Sequence, residues 1–184
     1  MQKLDENFKL EKYGLKVRFV NENDADFILS LRSNPNRTKY MITLDDDIES
    51  QRRWIQEYKK REKEGFDYYF IYSNVENKPI GLNRISQINY IEKTAKASSW
   101  ITVEGLIYET FKISTIHSEI AFNLLDLNTL RFEVHKNNKG LIKAYKNLDH
   151  KNPDNGKDFV LYSVTKSDFI KSYNNKTTKL LLQI

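Results

Sequence analysis

Glu133 and His135 stand two residues apart at the end of an alternating run, Thr129-Leu-Arg-Phe-Glu-Val134, and Tyr145 follows in a helical pattern. A carboxylate or an imidazole can take up a proton, and a phenol with a pKa near ~10 can supply one. Upstream, Trp100, Ile101, Thr102 and Val103 form a short apolar strand that runs through a loop at 104–109 into a helical pattern beginning at Thr110. A strand that feeds a helix leaves free backbone N–H groups at the helix N-terminus, where an anion can be held. Lys112 adds a positive charge there. Residues 100–150 therefore carry the parts for proton transfer beside a bound anion. The three histidines, His117, His135 and His150, are dispersed and lack metal-ligand spacing, so no metal is assigned. Absence of cysteine excludes a thiol nucleophile, thiolate metal sites and disulfides, and fits a reducing compartment.

These residues need elements to position them. Leu15, Val17 and Phe19 alternate on a strand at 15–20. Phe27, Ile28 and Leu31 line a short helix that stops at Asn34-Pro35, because the residue before proline avoids helical angles. Residues 36–43 read as irregular and carry Arg37 and Tyr40. The next helix spans about 48–64, with Ile48, Gln51, Trp54, Ile55 and Tyr58 on one face and Gly65 as its stop. Strands at 66–73 and 79–88 form a hairpin, and a third antiparallel strand follows at 97–103. The helix at 110–126 places Ile113, Ile116, Ile120 and Leu124 at helical spacing. A strand at 129–134, a helix at 138–148 and a strand at 159–164 complete the pattern, with a helical turn at 168–173. The order β-α-α-β-β-β-α-β-α-β implies an α/β (α+β) fold, with a mixed, mostly antiparallel sheet and helices on both faces.

The 184 residues suit one domain over 1–184, with 1–14 and 174–184 as tails. The charge of +5 is spread in both signs, as in the mixed run Lys59-Lys-Arg-Glu-Lys-Glu64, rather than gathered in a one-sign stripe. That pattern predicts no nucleic-acid partner, but a small phosphorylated ligand needs only a few positive groups. No long uncharged apolar run is present and the N-terminal residues lack a signal-peptide core. The expectation is a cytoplasmic protein with no membrane partner. The apolar end, Leu180-Leu-Leu182, reads as a packed edge or as part of a homodimer contact.

Three stretches together resemble the GNAT superfamily of N-acetyltransferases, in the branch with ribosomal-protein and amino-sugar acetyltransferases. The first is Leu31-Arg-Ser-Asn-Pro35 with Lys39-Tyr40-Met41, Gln51 and Trp54-Ile55. The second is Ile80-Gly81 with Arg84-Ile85. The third runs from Ile120 to Leu130, then Phe132-Glu-Val134, Asn138 and Tyr145-Lys-Asn-Leu148. The chain departs from the family at its pyrophosphate loop, a Gln/Arg-x-x-Gly-x-Gly/Ala pattern. Here Glu104-Gly-Leu-Ile-Tyr-Glu109 has one glycine, no basic residue and two carboxylates. A second departure is Asp149-His150, where the family ends its last helix with Gly-Phe.

The resemblance implies transfer of an acetyl group from acetyl-CoA directly to a primary amine of a small acceptor. An amino-sugar nucleotide is preferred, with a protein N-terminus as alternative. The unusual loop also leaves open a non-catalytic module that has lost cofactor binding. Residues 100–103 are expected to hold the pantetheine arm as an added strand, with Lys112, Asn138 and Tyr145 also on the cofactor. Tyr145 matches the family's proton donor to the leaving thiolate, and Glu133 or His135 would be the base, unless a water chain serves. Arg37, Tyr40 and Arg84 are candidates for binding the acceptor, because an arginine can grip a phosphate.

Overall fold

The computed structural model describes residues 2–41, 47–151 and 158–175. The expected contact at 180–182 and the tail beyond 175 lie outside the described residues, as does most of the loop after His150.

Eight strands form one sheet in the order β1-β2-β3-β4-β5-β6-β8-β7. The strands are β1 (Lys9–Lys12), β2 (Leu15–Phe19), β3 (Tyr68–Ser73), β4 (Pro79–Asn89), β5 (Thr94–Thr102), β6 (Thr129–His135), β7 (Asp149–Lys151) and β8 (Phe159–Thr165). All neighbours are antiparallel except β5 and β6. The helices are α1 (Ala25–Arg32), α2 (Pro35–Thr38), α3 (Ile48–Glu64), α4 (Ile107–Glu119), α5 (Lys139–Ala144) and α6 (Lys166–Tyr173).

The sheet is covered on both faces. On one, Ile113, Ile116 and Ile120 pack on Val17, Phe70, Ile85 and Leu130. On the other, Ile28, Leu31, Ile55 and Tyr58 pack on Tyr69, Ile71, Leu82 and Ile101. Each such side chain contributes about 1.5–3 kcal/mol by leaving water. The Asp47 carboxylate caps α3 by accepting from Ser50 N–H at 2.8 Å, and Gly65, at φ +85°, ends it in the left-handed region.

Several expected boundaries move. Residues 9–12 are an edge strand rather than part of a tail; their Lys-Leu-Glu-Lys side chains are exposed or half-buried, so no apolar face marks them. The segment 36–43 contains the short helix α2. β5 begins three residues earlier, at Thr94. α4 starts at Ile107, not Thr110, and passes at Ile120–Leu124 into a π-helical stretch. The helix expected at 138–148 is limited to Lys139–Ala144, and Asp149–Lys151 adds to the sheet through β8.

The register of β5 determines the shape of the site. β5 pairs with β6 only at Thr94↔Thr129, Ala95↔Leu130 and Lys96↔Arg131. Beyond these the two strands diverge. Between Leu82↔Ile101 and Arg84↔Ser98, Asn83 alone faces both Ser99 and Trp100, and Ser99 takes φ +53°. This is a β-bulge, which bends the strand that carries it and can end its pairing. The bulge lies in the half of β5 that leaves β6, so a cleft opens between them.

Candidate active site

Backbone polarity makes the cleft a binding lane. Val103 N–H donates to the Ile80 carbonyl at 2.8 Å, so Val103 faces β4. Backbone direction alternates along an antiparallel strand, so Ile101 also faces β4 and Thr102 turns its N–H and C=O into the cleft. Of the four strand residues expected to serve the cofactor, Thr102 thus offers groups at the mouth. Trp100 is partly exposed, with its ring edge-on to the buried His117 ring at 5.9 Å.

The next wall is the start of α4. Leu106 occupies the capping position with no side-chain cap, which leaves the first N–H groups of the helix free of side-chain acceptors among the described residues. Glu104 is exposed, with its carboxylate 3.6 Å from Arg37 Nη2. Gly105 sits at φ +79° in open space. Ile107 and Tyr108 expose their side chains, and Glu109 lies in the first turn. Because the helix starts at Ile107, Lys112 falls in the second turn, further from the N-terminus than the sequence suggests.

Across the cleft, Asn138 caps α5 by accepting from Leu141 N–H at 3.3 Å. Tyr145 closes the same helix, with its ring 5.0 Å from Phe132 and 5.8 Å from Tyr162. Burial pushes its phenol pKa up, and its hydroxyl makes no hydrogen bond among the described residues. It therefore keeps its proton at neutral pH. Phe132 and Glu133 point to opposite faces of β6, so Glu133 lies on the face away from Tyr145. Glu133 pairs with Lys96 Nζ at 2.8 Å, at the point where the two strands part. His135 is packed between Tyr40 at 5.4 Å and Phe159 at 5.3 Å. Its Nδ1 accepts from Asn137 N–H at 3.1 Å, which places the proton of the neutral ring on Nε2.

The structure thus brings Tyr40 to His135 and separates Tyr145 from Glu133 by the thickness of the strand. Arg37 reaches the other wall, where Nη1 donates to the Thr102 carbonyl. Arg84 is held by Asp67, Nε to Oδ1 at 2.6 Å with a second bond from Nη2 to Oδ2. Asp67 also accepts from Arg61 Nε at 3.0 Å, and the Arg84 guanidinium lies 5.2 Å from the Trp54 ring. Arg32 was not singled out from sequence. It ends α1 near Tyr69, which faces Arg84 in register. Burial raises the Tyr69 phenol pKa, and the positive charges of Arg32 and Arg84 oppose the rise. The arginine sits inside the Leu31-Arg-Ser-Asn-Pro35 stretch, and that position was the available signal. Among the described residues no group of three or more His, Asp or Glu could hold a metal ion, and no helix is long and apolar enough to cross a membrane.

Residues 15–151 match the model of the acetyltransferase (GNAT) domain. The chain belongs to the GNAT acetyltransferase family. It is an N-acetyltransferase, and enzymes of this family use acetyl-CoA. Among solved structures it is similar to apo FdhC, a nucleotide-linked sugar GNAT, with 29% identity over 94% of this chain and 98% of that chain and a TM-score of 0.79. A spermidine N-acetyltransferase from Vibrio cholerae, solved with CoA and spermine, shares the fold at 19% identity, covering 85% and 98% of the two chains with a TM-score of 0.70. A dodecameric structure of spermidine N-acetyltransferase from Vibrio cholerae gives 17%, 86%, 98% and 0.67 for the same measures. A search of curated proteins gives no match.

The site fits acetyl-CoA in two respects. Thr102 offers an outward backbone edge to an amide-bearing arm, and α4 offers uncapped N–H groups to a pyrophosphate. The carboxylate of Glu104, the clearest sequence objection, is drawn toward Arg37.

Proposed function

We propose that this acetyltransferase acetylates the primary amine of a nucleotide-linked amino sugar. The observation that carries the reading is the charge on the face of the sheet bearing α1 and α3. Asp67 is a single buried carboxylate shared by Arg61 and Arg84, which leaves that group net positive. Arg32 and Arg37 add to it from the end of α1 and from α2. A polyamine acceptor would meet repulsion there, whereas a diphosphate would be attracted. The likeness to a nucleotide-linked sugar GNAT supports the same choice.

Bound acetyl-CoA supplies the acetyl thioester. Thr102 N–H faces the cleft, where it can donate to a carbonyl oxygen as charge develops there. Tyr145 holds its proton on the side of β6 that carries α5, ready for the leaving sulfur. Glu133 and His135 lie on the opposite side, with the arginines, where the amine must lose its proton. Glu133 is the better base, because the lone pair of the neutral His135 ring is on Nδ1, which already accepts from Asn137 N–H. Lys96 orients the Glu133 carboxylate. The uncapped N–H groups at the start of α4 would hold the cofactor's phosphates, with Lys112 one turn further along the helix, and Asn138 shapes the α5 end of the lane. Arg37, Tyr40 and Arg84 surround the acceptor.

The test is calorimetric titration with acetyl-CoA, followed by turnover on a panel of dTDP- and UDP-linked amino sugars, spermidine and N-terminal peptides. Acetylation of a nucleotide-linked sugar well above the others is expected. Preferential acetylation of spermidine or of a peptide would overturn the acceptor assignment.

A further inference from the structure

We propose that Arg37 is parked on the cofactor strand and passes to the acceptor when an incoming acetyl-CoA takes the Thr102 carbonyl. The inference rests on the nucleotide-sugar reading for its second half only. Thr102 turns its carbonyl into the cleft, and β6 does not reach it, because β6 pairs with β5 only as far as Lys96. An outward, unpaired strand carbonyl is what an extended amide chain bonds when it adds to a sheet edge. In this structure the Arg37 Nη1 donor is there instead. The Arg37 side chain is only 14% exposed, so the guanidinium lies within the mouth of the lane rather than over it. A carbonyl has two lone pairs, but a chain lying along β5 needs the volume that the guanidinium fills.

The surrounding segment is built to release. α2 is a four-residue helix with no buried residue. Asn34 holds its start, through Asn36 N–H to Asn34 Oδ1 at 3.1 Å and Thr38 Oγ1 to the Asn34 carbonyl at 3.0 Å. Arg37 touches the β5 wall, while Tyr40, three residues on, packs against His135 on the β6 wall. The segment therefore straddles the acceptor end of the cleft. Loss of the Thr102 contact frees a guanidinium whose remaining partner, Glu104, is 3.6 Å away and exposed. An acceptor diphosphate can then outcompete that carboxylate by bidentate hydrogen bonding. The exchange makes the two ligands cooperative, and linkage requires the coupling to be equal in both directions.

Calorimetry with CoA, and with dTDP and UDP as acceptor surrogates, tests this without turnover. Arg37→Ala is expected to bind CoA about tenfold tighter than the wild type, the equivalent of one charge-assisted hydrogen bond no longer competed for. Wild-type protein is expected to bind the nucleoside diphosphate about tenfold tighter with CoA present than without it, and the variant to show no such difference. Arg37→Lys, which keeps the charge but loses the planar fork, should fall between the two in CoA affinity, and thermal melts of both variants check folding. CoA affinity unchanged or weakened in a folded Arg37→Ala protein overturns the proposal, whatever the acceptor. If neither diphosphate binds in any state while the CoA gain persists, the nucleotide-sugar reading fails and the competition at Thr102 stands.

Discussion

His117 ties the stability of the cleft to pH. Its ring is 3% exposed, Nε2 has no hydrogen-bond partner among the described residues, and the ring lies under Trp100 of β5. Burial pushes its pKa down to about 4, a shift only partly opposed by a hydrogen bond with the Arg84 carbonyl. In the unfolded chain the ring returns to about 6.5. Between those values the unfolded state holds a proton that the folded state lacks, so stability is full above pH 6.5 and falls as pH drops toward 4. The loss is about 2 kcal/mol by pH 5 and about 3 kcal/mol by pH 4, a large share of an ordinary stability of ~5–15 kcal/mol. Urea unfolding at pH 7, 5.5 and 4.5, for the wild type and His117→Gln, isolates this residue from the carboxylates that also titrate. The wild type should lose about 2–3 kcal/mol more than the variant across that range. Parallel pH curves, or an NMR titration that places the His117 ring near 6.5, would refute the assignment.

Two further perturbations bear on the site. On its proposed role as proton donor to the leaving sulfur, Tyr145→Phe should lower turnover by about 10²-fold with CoA affinity little changed; steady-state rates beside calorimetry check it, and an unchanged rate removes Tyr145 from the chemistry. Gly81→Ala would set a Cβ 2.9 Å from Thr102 Cγ2 and 3.0 Å from Ile113 Cδ1. Forcing these apart should cost about 1–3 kcal/mol and displace Thr102, weakening CoA binding several-fold, as urea melts and calorimetry would show.

Local rules reached far into this fold. The period-two spacing of Leu15, Val17 and Phe19 and the helical spacing of Ile113, Ile116 and Ile120 both ended in the same core, as burial of one face requires. Gly65 ended α3 because a left-handed residue closes a helix, a requirement visible in one letter. β1 escaped because an exposed edge strand has no apolar side to announce it. α4 began a turn early because Ile107 and Tyr108 are exposed, and the apolar stripe that marks a helix starts only beyond them.

The candidate site divides along the same line. That Asn138 and Tyr145 share one short helix was legible, because its two ends are set by local sequence whatever the rest of the chain does. Partnerships across the sheet were not. Arg84 read as a candidate for binding the acceptor, and only the fold brought Asp67, just before β3, against it, while Arg37 met Thr102 across 65 residues of chain. Glu133 and Tyr145 both read as candidates for proton transfer, and strand alternation put them on opposite faces of β6.

Return, finally, to residues 100–103, which sequence marked as a strand feeding a helix. Sequence alone determined that strand and its apolar character, because propensity and periodicity act over a few residues at a time, and its motifs carried the resemblance to the family. Only the tertiary structure decided that β5 parts from β6, that Thr102 is the residue facing the gap, and that Arg37 fills it. Those depend on a bulge opposite Asn83 and on which strand lies beside which, and register is a property of paired strands that neither strand carries in its own sequence.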